Sequence, residues 1–236
     1  MLSKKPVPGS IVEVCARNTM YPSFGFMLQA HRASFGVAEK ICYSTLFGYA
    51  FDTTSIVVDG IPFILRPKEY IGLPVREKIE IQSDGKFFGA FRLGFLGQQT
   101  QGRVEEKGRL SYIDGCSDTL LVYPPRQGDP SLNFLYFPPN INQSFHTHPS
   151  VRIGCVSEGH GYSCLATAGR ETEMPLIEGE LFMLEEQELH RFKTTDKSMK
   201  VIPYHPDGDW GPTDHNHSMI NRTYLLERRH GTIGAH

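Results

Sequence analysis

The stretch FHTHPSVRIGCVSEGHG, Phe145 to Gly161, decides how the rest of the chain is read. It sets His146 and His148 two residues apart in an apolar-flanked run that closes on Gly159 and Gly161. On a β-strand, residues i and i+2 project from one face, roughly 7 Å apart along the chain. Two imidazoles so placed converge on one ion with little backbone distortion, and imidazole suits iron, zinc, copper and nickel. A His-x-His pair also arises by chance, so by itself it names neither a site nor a metal. Arg152 shares parity with both histidines, so a regular strand would turn it to the same side.

Working outward, the chain reads as short strands. Its 236 residues include 23 glycines and 16 prolines at short intervals, punctuation that suits strands and turns better than long helices. SIVVDGIPFIL (Ser55–Leu65) and KIEIQSDGKFFGAFRL (Lys78–Leu93) each place an Asp-Gly turn between β-rich runs, and Asp114-Gly115 marks a third bend. FGVAEKICYSTLFGYAF, from Phe35 to Phe51, fits a short helix or two strands. LNFLYFPP, YSCLATAG, GELFMLEEQELHRFKT and MKVIPYHP continue the strand pattern. Together these predict an all-β sandwich or barrel. The Pro-rich YPPRQGDPS, Tyr123 to Ser131, is the best internal boundary, dividing a β-rich half over 1–125 from a second unit over 126–236. Residues 51–125 contain no histidine.

The decisive pattern spans two patches. From His148, three residues precede Arg152 and six more precede Gly159; further on, Gly179-Glu180 is followed by His190, eleven residues after the glycine. This pair of patches resembles the two motifs of the cupin superfamily, double-stranded β-helix barrels. The resemblance covers roughly residues 131–205. Two departures stand out: Arg152 occupies the first motif's Glu position, and EEQE (Glu185–Glu188) replaces the second motif's Pro-x-Gly turn. The resemblance implies His146, His148 and His190 as metal ligands. It fails at Arg152, because a guanidinium stays protonated and offers no lone pair.

Three readings of Arg152 stand. In one, the centre is a three-histidine site and Arg152 clamps a carboxylate or phosphate of the substrate in bidentate fashion. In another, a fourth ligand comes from the tail, where His205, His215 and His217 accompany Asp207, Asp209 and Asp214. In the third, the metal is gone and Arg152 pairs with Glu158, Glu180 or another carboxylate. His160 reads as a turn residue, and His31, His230 and His236 have no companions. Cys155 has the opposite parity to the histidine pair and reads as a small buried hydrophobe.

The function expected is that of a mononuclear-metal enzyme, dioxygenase-type oxidoreduction being the largest class the resemblance offers. The competing expectation is a non-catalytic small-molecule-binding or structural cupin. The cofactor is one divalent transition-metal ion, iron foremost and zinc, nickel or manganese as alternatives. The partner is a small substrate, carboxylate-bearing if Arg152 binds it, and by analogy a second copy in a homodimer. A net charge of −2 and dispersed basic residues speak against nucleic acid and membrane surfaces. Five cysteines, odd in number and never spaced as CxxC, speak against a disulfide framework. With no signal-like apolar segment at the N-terminus, a cytoplasmic location is expected.

Overall fold

Alternating apolar residues, frequent turns and scarce helical stripes leave the backbone one economical solution, which is antiparallel pairing. The computed structural model describes residues 2–6, 11–16, 20–29, 32–37, 43–167 and 170–208. His31, Trp210, Asp209, Asp214, His215, His217, His230 and His236 lie outside these. The described residues form nineteen strands and one 3-10 turn, Ile113–Gly115. In chain order the first eleven strands are β1 (Leu2–Pro6), β2 (Ile11–Ala16), β3 (Ser23–Gln29), β4 (Arg32–Val37), β5 (Ser44–Ala50), β6 (Thr54–Val58), β7 (Ile61–Leu65), β8 (Glu69–Val75), β9 (Lys78–Ser83), β10 (Lys86–Leu93) and β11 (Thr100–Arg103). The remainder are β12 (Leu110–Ser111), β13 (Ser117–Val122), β14 (Ser131–Phe137), β15 (Arg152–Thr167), β16 (Arg170–Ile177), β17 (Leu181–Leu184), β18 (His190–Lys193) and β19 (Met199–His205).

The strands before β12 make two sheets, ordered β1-β4-β9-β6-β7 and β11-β8-β5-β10-β3-β2. Of the two expected Asp-Gly hairpins, the first forms: Asp59 and Gly60, at φ 49° and 84°, join the paired strands β6 and β7. The second is a turn but not a hairpin. Across Asp84-Gly85 the chain leaves β9 in one sheet and enters β10 in the other. Burial decides this, since β9 and β10 each send apolar side chains into the core between the sheets. The ambiguous stretch from Phe35 supplies the end of β4 and all of β5, so it takes the two-strand option. Phe24, Phe26, Phe35, Phe87 and Phe91 fill the space between the two sheets, with Phe26 and Phe35 at 5.0 Å between ring centroids.

The remaining strands build a third sheet, β12-β13-β14-β19-β15-β16, with β17 and β18 also on β15. At sixteen residues, β15 serves two sets of neighbours. Its first half pairs with β17 and β19, its second with β16 and β18. The change of partners falls at a bulge between Val156 and Glu158, followed by Gly159 at φ 78°. A bulge of this kind bends a strand and raises its twist. His160, expected in a turn, lies within β15 just past that bend.

The two halves meet through strands with two apolar faces. On β15 and β19, Ile153, Cys155, Ile202 and Tyr204 pack against Met27, Phe47 and Phe88 of the first half. The Tyr204 hydroxyl lies 3.1 Å from the Ser23 hydroxyl. A charge network ties the rim. Lys200, 7% exposed, donates to Glu106 at 2.5 Å and to Glu158 at 3.0 Å, and Lys68 reaches Glu158 at 3.1 Å. Cys116, Cys155 and Cys164 are free and buried, as expected of thiols outside a disulfide framework. No helix among the described residues is long and apolar enough to cross a membrane.

A side chain at 159 would need a left-handed backbone and would collide with the Ser198 carbonyl oxygen. Gly159→Ala is therefore expected to lower the unfolding free energy by more than the ~1–2 kcal/mol of the backbone term alone. Gly94→Ala, also at positive φ but facing open space, isolates that term. Urea denaturation giving equal losses for the two variants would show that the close approach at 159 carries no cost.

Candidate metal centre

The two motif patches are zipped together by main-chain hydrogen bonds. The Gln143 amide donates to the Phe192 carbonyl at 3.1 Å, and the Gln187 amide to the His148 carbonyl at 2.9 Å. Between them, His146 and His190 form an isolated antiparallel bridge, exchanging N–H···O bonds of 2.9 and 3.0 Å. The buried Gln143 side chain accepts from the Phe192 amide, a further bond between the same segments. His146 and His148 thus do not sit on a regular strand. Pro149 has no N–H to give, the chain runs irregularly from Thr147 to Val151, and β15 starts only at Arg152. The strand-parity argument for Arg152 does not hold, although Arg152 does reach the same cavity. In place of Pro-x-Gly, residues Glu185–Glu188 make the turn, with Gln187 at φ 58°.

This ladder brings three rings together. Centroids lie 4.5 Å apart for His146–His190, 5.0 Å for His148–His190 and 5.1 Å for His146–His148. Each ring offers a nitrogen within 4.8 Å of the others'. The backbone sets the tautomers of two of them. His146 Nδ1 lies 2.9 Å from the Ser144 carbonyl oxygen, and His190 Nδ1 lies 2.8 Å from that of Glu188. A carbonyl only accepts, so each Nδ1 carries the proton and each Nε2 keeps its lone pair. His190 Nε2 is buried with no hydrogen-bond partner, in a residue only 1% exposed.

Around the rings lies a cavity of about 40 Å³, lined by His146, His148, Arg152 and His205 with Phe182 and Asp118 among the remaining walls. That is small beside the ~300–1,000 Å³ of ordinary ligand pockets, so only a molecule of a few heavy atoms fits. Of the tail residues, His205 lines the cavity, its ring 6.3 Å from that of His148, but it does not join the group of converging nitrogens. His215 and His217 lie outside the described residues. β19 alternates here, with Val201, Pro203 and His205 facing the cavity while Ile202 and Tyr204 face the first half.

Arg152 is 7% exposed. Its Nη1 donates to the Ser150 hydroxyl at 2.6 Å and to the carbonyls of Ser150 and Val151 at 3.1 Å. It stands 3.6 Å from Asp207, which also accepts from the Ser150 hydroxyl. Among the carboxylates weighed for Arg152, Glu158 is held by the two lysines and Glu180 accepts from the Ile177 amide. Burial, and then the Arg152 charge, hold His148 down to about 3. Burial likewise lowers His190 to about 4, and His205 lies well below the ordinary histidine range. These rings are neutral at physiological pH, as metal ligands must be. A second group, Cys164 with Glu171 and Glu173, is a cross-strand ion-pair ladder, since Arg191 and Lys193 hold the two carboxylates at 2.7 and 2.8 Å.

No protein-family model and no curated protein matches the chain. Among solved structures it is similar to a glyoxylate-induced protein from Pseudomonas aeruginosa, so named in its structure, with TM-score 0.60, 13% identity, and 89% of this chain and 86% of that one covered. It is also similar to protein Ylba from E. coli, with TM-score 0.59, 15% identity and coverage of 86% and 87%. A cupin 2 conserved barrel domain protein from Leptotrichia buccalis gives TM-score 0.57, 14% identity and coverage of 85% and 90%.

The depressed histidines make a pH signature in the metal-free protein. Unfolded, His148 and His190 take up protons near pH 6.5; folded, they do so only near pH 3 and 4. The unfolded state therefore binds more protons in that window, and stability falls as pH drops from about 6.5 towards 4. His148→Gln is expected to remove up to about 1.4 kcal/mol per pH unit of that slope. Denaturation midpoints whose pH slope is identical in the variant would show that His148 is not held neutral by the fold.

Proposed function

We propose that this chain, which has the cupin fold, binds one divalent transition-metal ion through His146, His148 and His190 and acts through it on a small anionic molecule. The observation that carries the reading is His190 Nε2. A buried polar nitrogen without a partner costs about 1–3 kcal/mol, and here it stands beside the His146 and His148 rings, the former with its proton held by the Ser144 carbonyl. A bound ion supplies Lewis-acid or redox chemistry with open coordination positions.

The chain's own residues do the rest. The Ser144 and Glu188 carbonyls hold two rings in the ligating tautomer. Three neutral ligands leave the positive charge of the ion uncompensated, and the Arg152 guanidinium adds to it, so a carboxylate-bearing molecule complements the site. Phe182, Leu184 and Phe192 make an apolar wall that limits water. Iron fits the three-imidazole set first, with zinc, nickel or manganese as alternatives. Dioxygenase-type oxidoreduction is the reaction class the cupin resemblance favours.

A second reading, a non-catalytic cupin that only binds a small molecule, is favoured by one observation. Arg152 Nη1 already serves Ser150 and Val151, beside Asp207, which gives this side chain a structural job at the motif's Glu position.

Metal analysis of purified protein tests the ion: about one equivalent per chain is expected, and a strong loss in His146→Ala, His148→Ala and His190→Ala. The same negligible metal in all four proteins would sink the metal-centre reading. Arg152→Glu separates the two readings. In an enzyme it abolishes turnover of the anionic substrate while metal is kept; in a binding protein it tightens metal with no turnover to lose.

A further inference from the structure

Among the described residues lining the cavity, one side chain is a carboxyl, and neither motif includes it. Asp118, on β13, pairs across to Leu135 on β14 and lines the same cavity as His146, His148, Arg152 and His205. Its oxygens accept from the Asn133 amide at 3.1 and 3.3 Å. Asn133 is itself fixed. The Ser131 hydroxyl donates to its Oδ1 at 3.0 Å, so its NH₂ must face Asp118. Among the described residues, the carboxyl is thus held by a buried Ser131–Asn133 relay rather than by a cation.

That arrangement is costly for a purely structural residue. Asp118 is half-buried, and among the described residues no cation pairs with it; a carboxylate so placed is destabilised, and an asparagine at 118 would keep a hydrogen-bonding partner for Asn133 without the charge. Burial raises the Asp118 carboxyl to about 6, the bonds from Asn133 and the Thr119 backbone opposing that rise. The charged and titratable groups that line the cavity with it are Arg152 and His205 at the strand ends, His146 and His148 on the motif loop, and Tyr112 just before the 3-10 turn. In about 40 Å³, a bound carboxylate has no position remote from Asp118. Two carboxylates sharing so small a space do not both stay ionised.

We propose that Asp118 is the proton-accepting wall of this cavity: as a small carboxylate binds beside the histidines, Asp118 takes up one proton and donates it as a hydrogen bond to the ligand. The inference rests on the metal-centre reading above. The proton comes from solvent and ends on an Asp118 oxygen, and no bond of the ligand is made or broken. The ligand class follows: a carboxylate of a few heavy atoms, recognised by Arg152 and the ion on its charged side and by a neutral carboxyl on the other.

The test is calorimetric titration of oxalate, the probe, into zinc-loaded protein in two buffers of different ionisation enthalpy, which counts protons taken up on binding. Wild type is expected to take up about one proton near pH 7.5, its affinity weakening about tenfold per pH unit above the Asp118 transition. Asp118→Asn is expected to bind oxalate with no uptake and a flat pH profile, and Asp118→Glu to restore the uptake. Circular dichroism and an unchanged zinc content establish that the variants are folded and loaded. Wild type that binds oxalate without uptake, or Asp118→Asn with undiminished uptake, overturns the role of Asp118 alone. Zinc-loaded wild type that binds no oxalate at any pH overturns the anion-binding reading together with it.

Discussion

The site depends on the bend in β15. One strand of sixteen residues lies beside four others, and it does so because the bulge after Val156 and the left-handed Gly159 let it change direction. Arg152 begins the first half of this strand, and Leu165 in the second half pairs with His190. Arg152 and Phe192, which both line the cavity, are therefore placed by opposite sides of the bend. A Cβ at 159 meets the main chain at Ser198 rather than a side chain that can swing away. The glycine is an elastic requirement of the fold before it is part of any motif.

On that frame, the ladder between residues 142–148 and 187–193 brings the histidines into contact. His146 and His190 are 44 positions apart in the chain yet exchange both main-chain hydrogen bonds. Side chains on such a pair stand on one face at short range, and carbonyls two residues upstream orient the rings. Precision here comes from backbone geometry, which is stiff, rather than from flexible side-chain contacts. The first half of the chain stiffens the other face. Its aromatic residues pack on Cys155 and on Ile153, Ile202 and Tyr204, the last three being the neighbours in sequence of the cavity residues Arg152, Pro203 and His205. The two-residue period of the strand lets one element serve both a dry interface and a polar cavity.

Charge gives the cavity its character. Burial keeps the His148 and His190 imidazoles neutral, the Arg152 charge adding to it, so their lone pairs are available. Asp207 and Ser150 hold that arginine where the cupin motif has a carboxylate. Where the resembled motif has Glu, this chain thus places a guanidinium that is part of the fold's own polar contacts.

Much of this was legible in the residues themselves. Alternating apolar residues and Asp-Gly turns determine an all-β chain, because the side-chain period of two and the turn preferences of glycine are local properties. The spacing of His146, His148, Gly159, Gly179 and His190 carries the barrel, since each glycine meets a backbone need that follows from its neighbours. What the sequence could not settle is set by contacts distant along the chain. Asp84-Gly85 reads as a hairpin and proves to be a crossing between sheets, because the choice of partner strand rests on which core buries Ile79, Ile81, Phe87 and Phe91. Arg152 reads as sharing a strand with the histidines and instead reaches them from beyond an irregular loop pinned by Asp207. Asp118 gave no signal at all. Its carboxyl is one of many in the sequence, and only the packing of β13 against β14 encloses it with three imidazoles and an arginine. Local stereochemistry determined the elements; the burial of charge, decided in three dimensions, made the cavity.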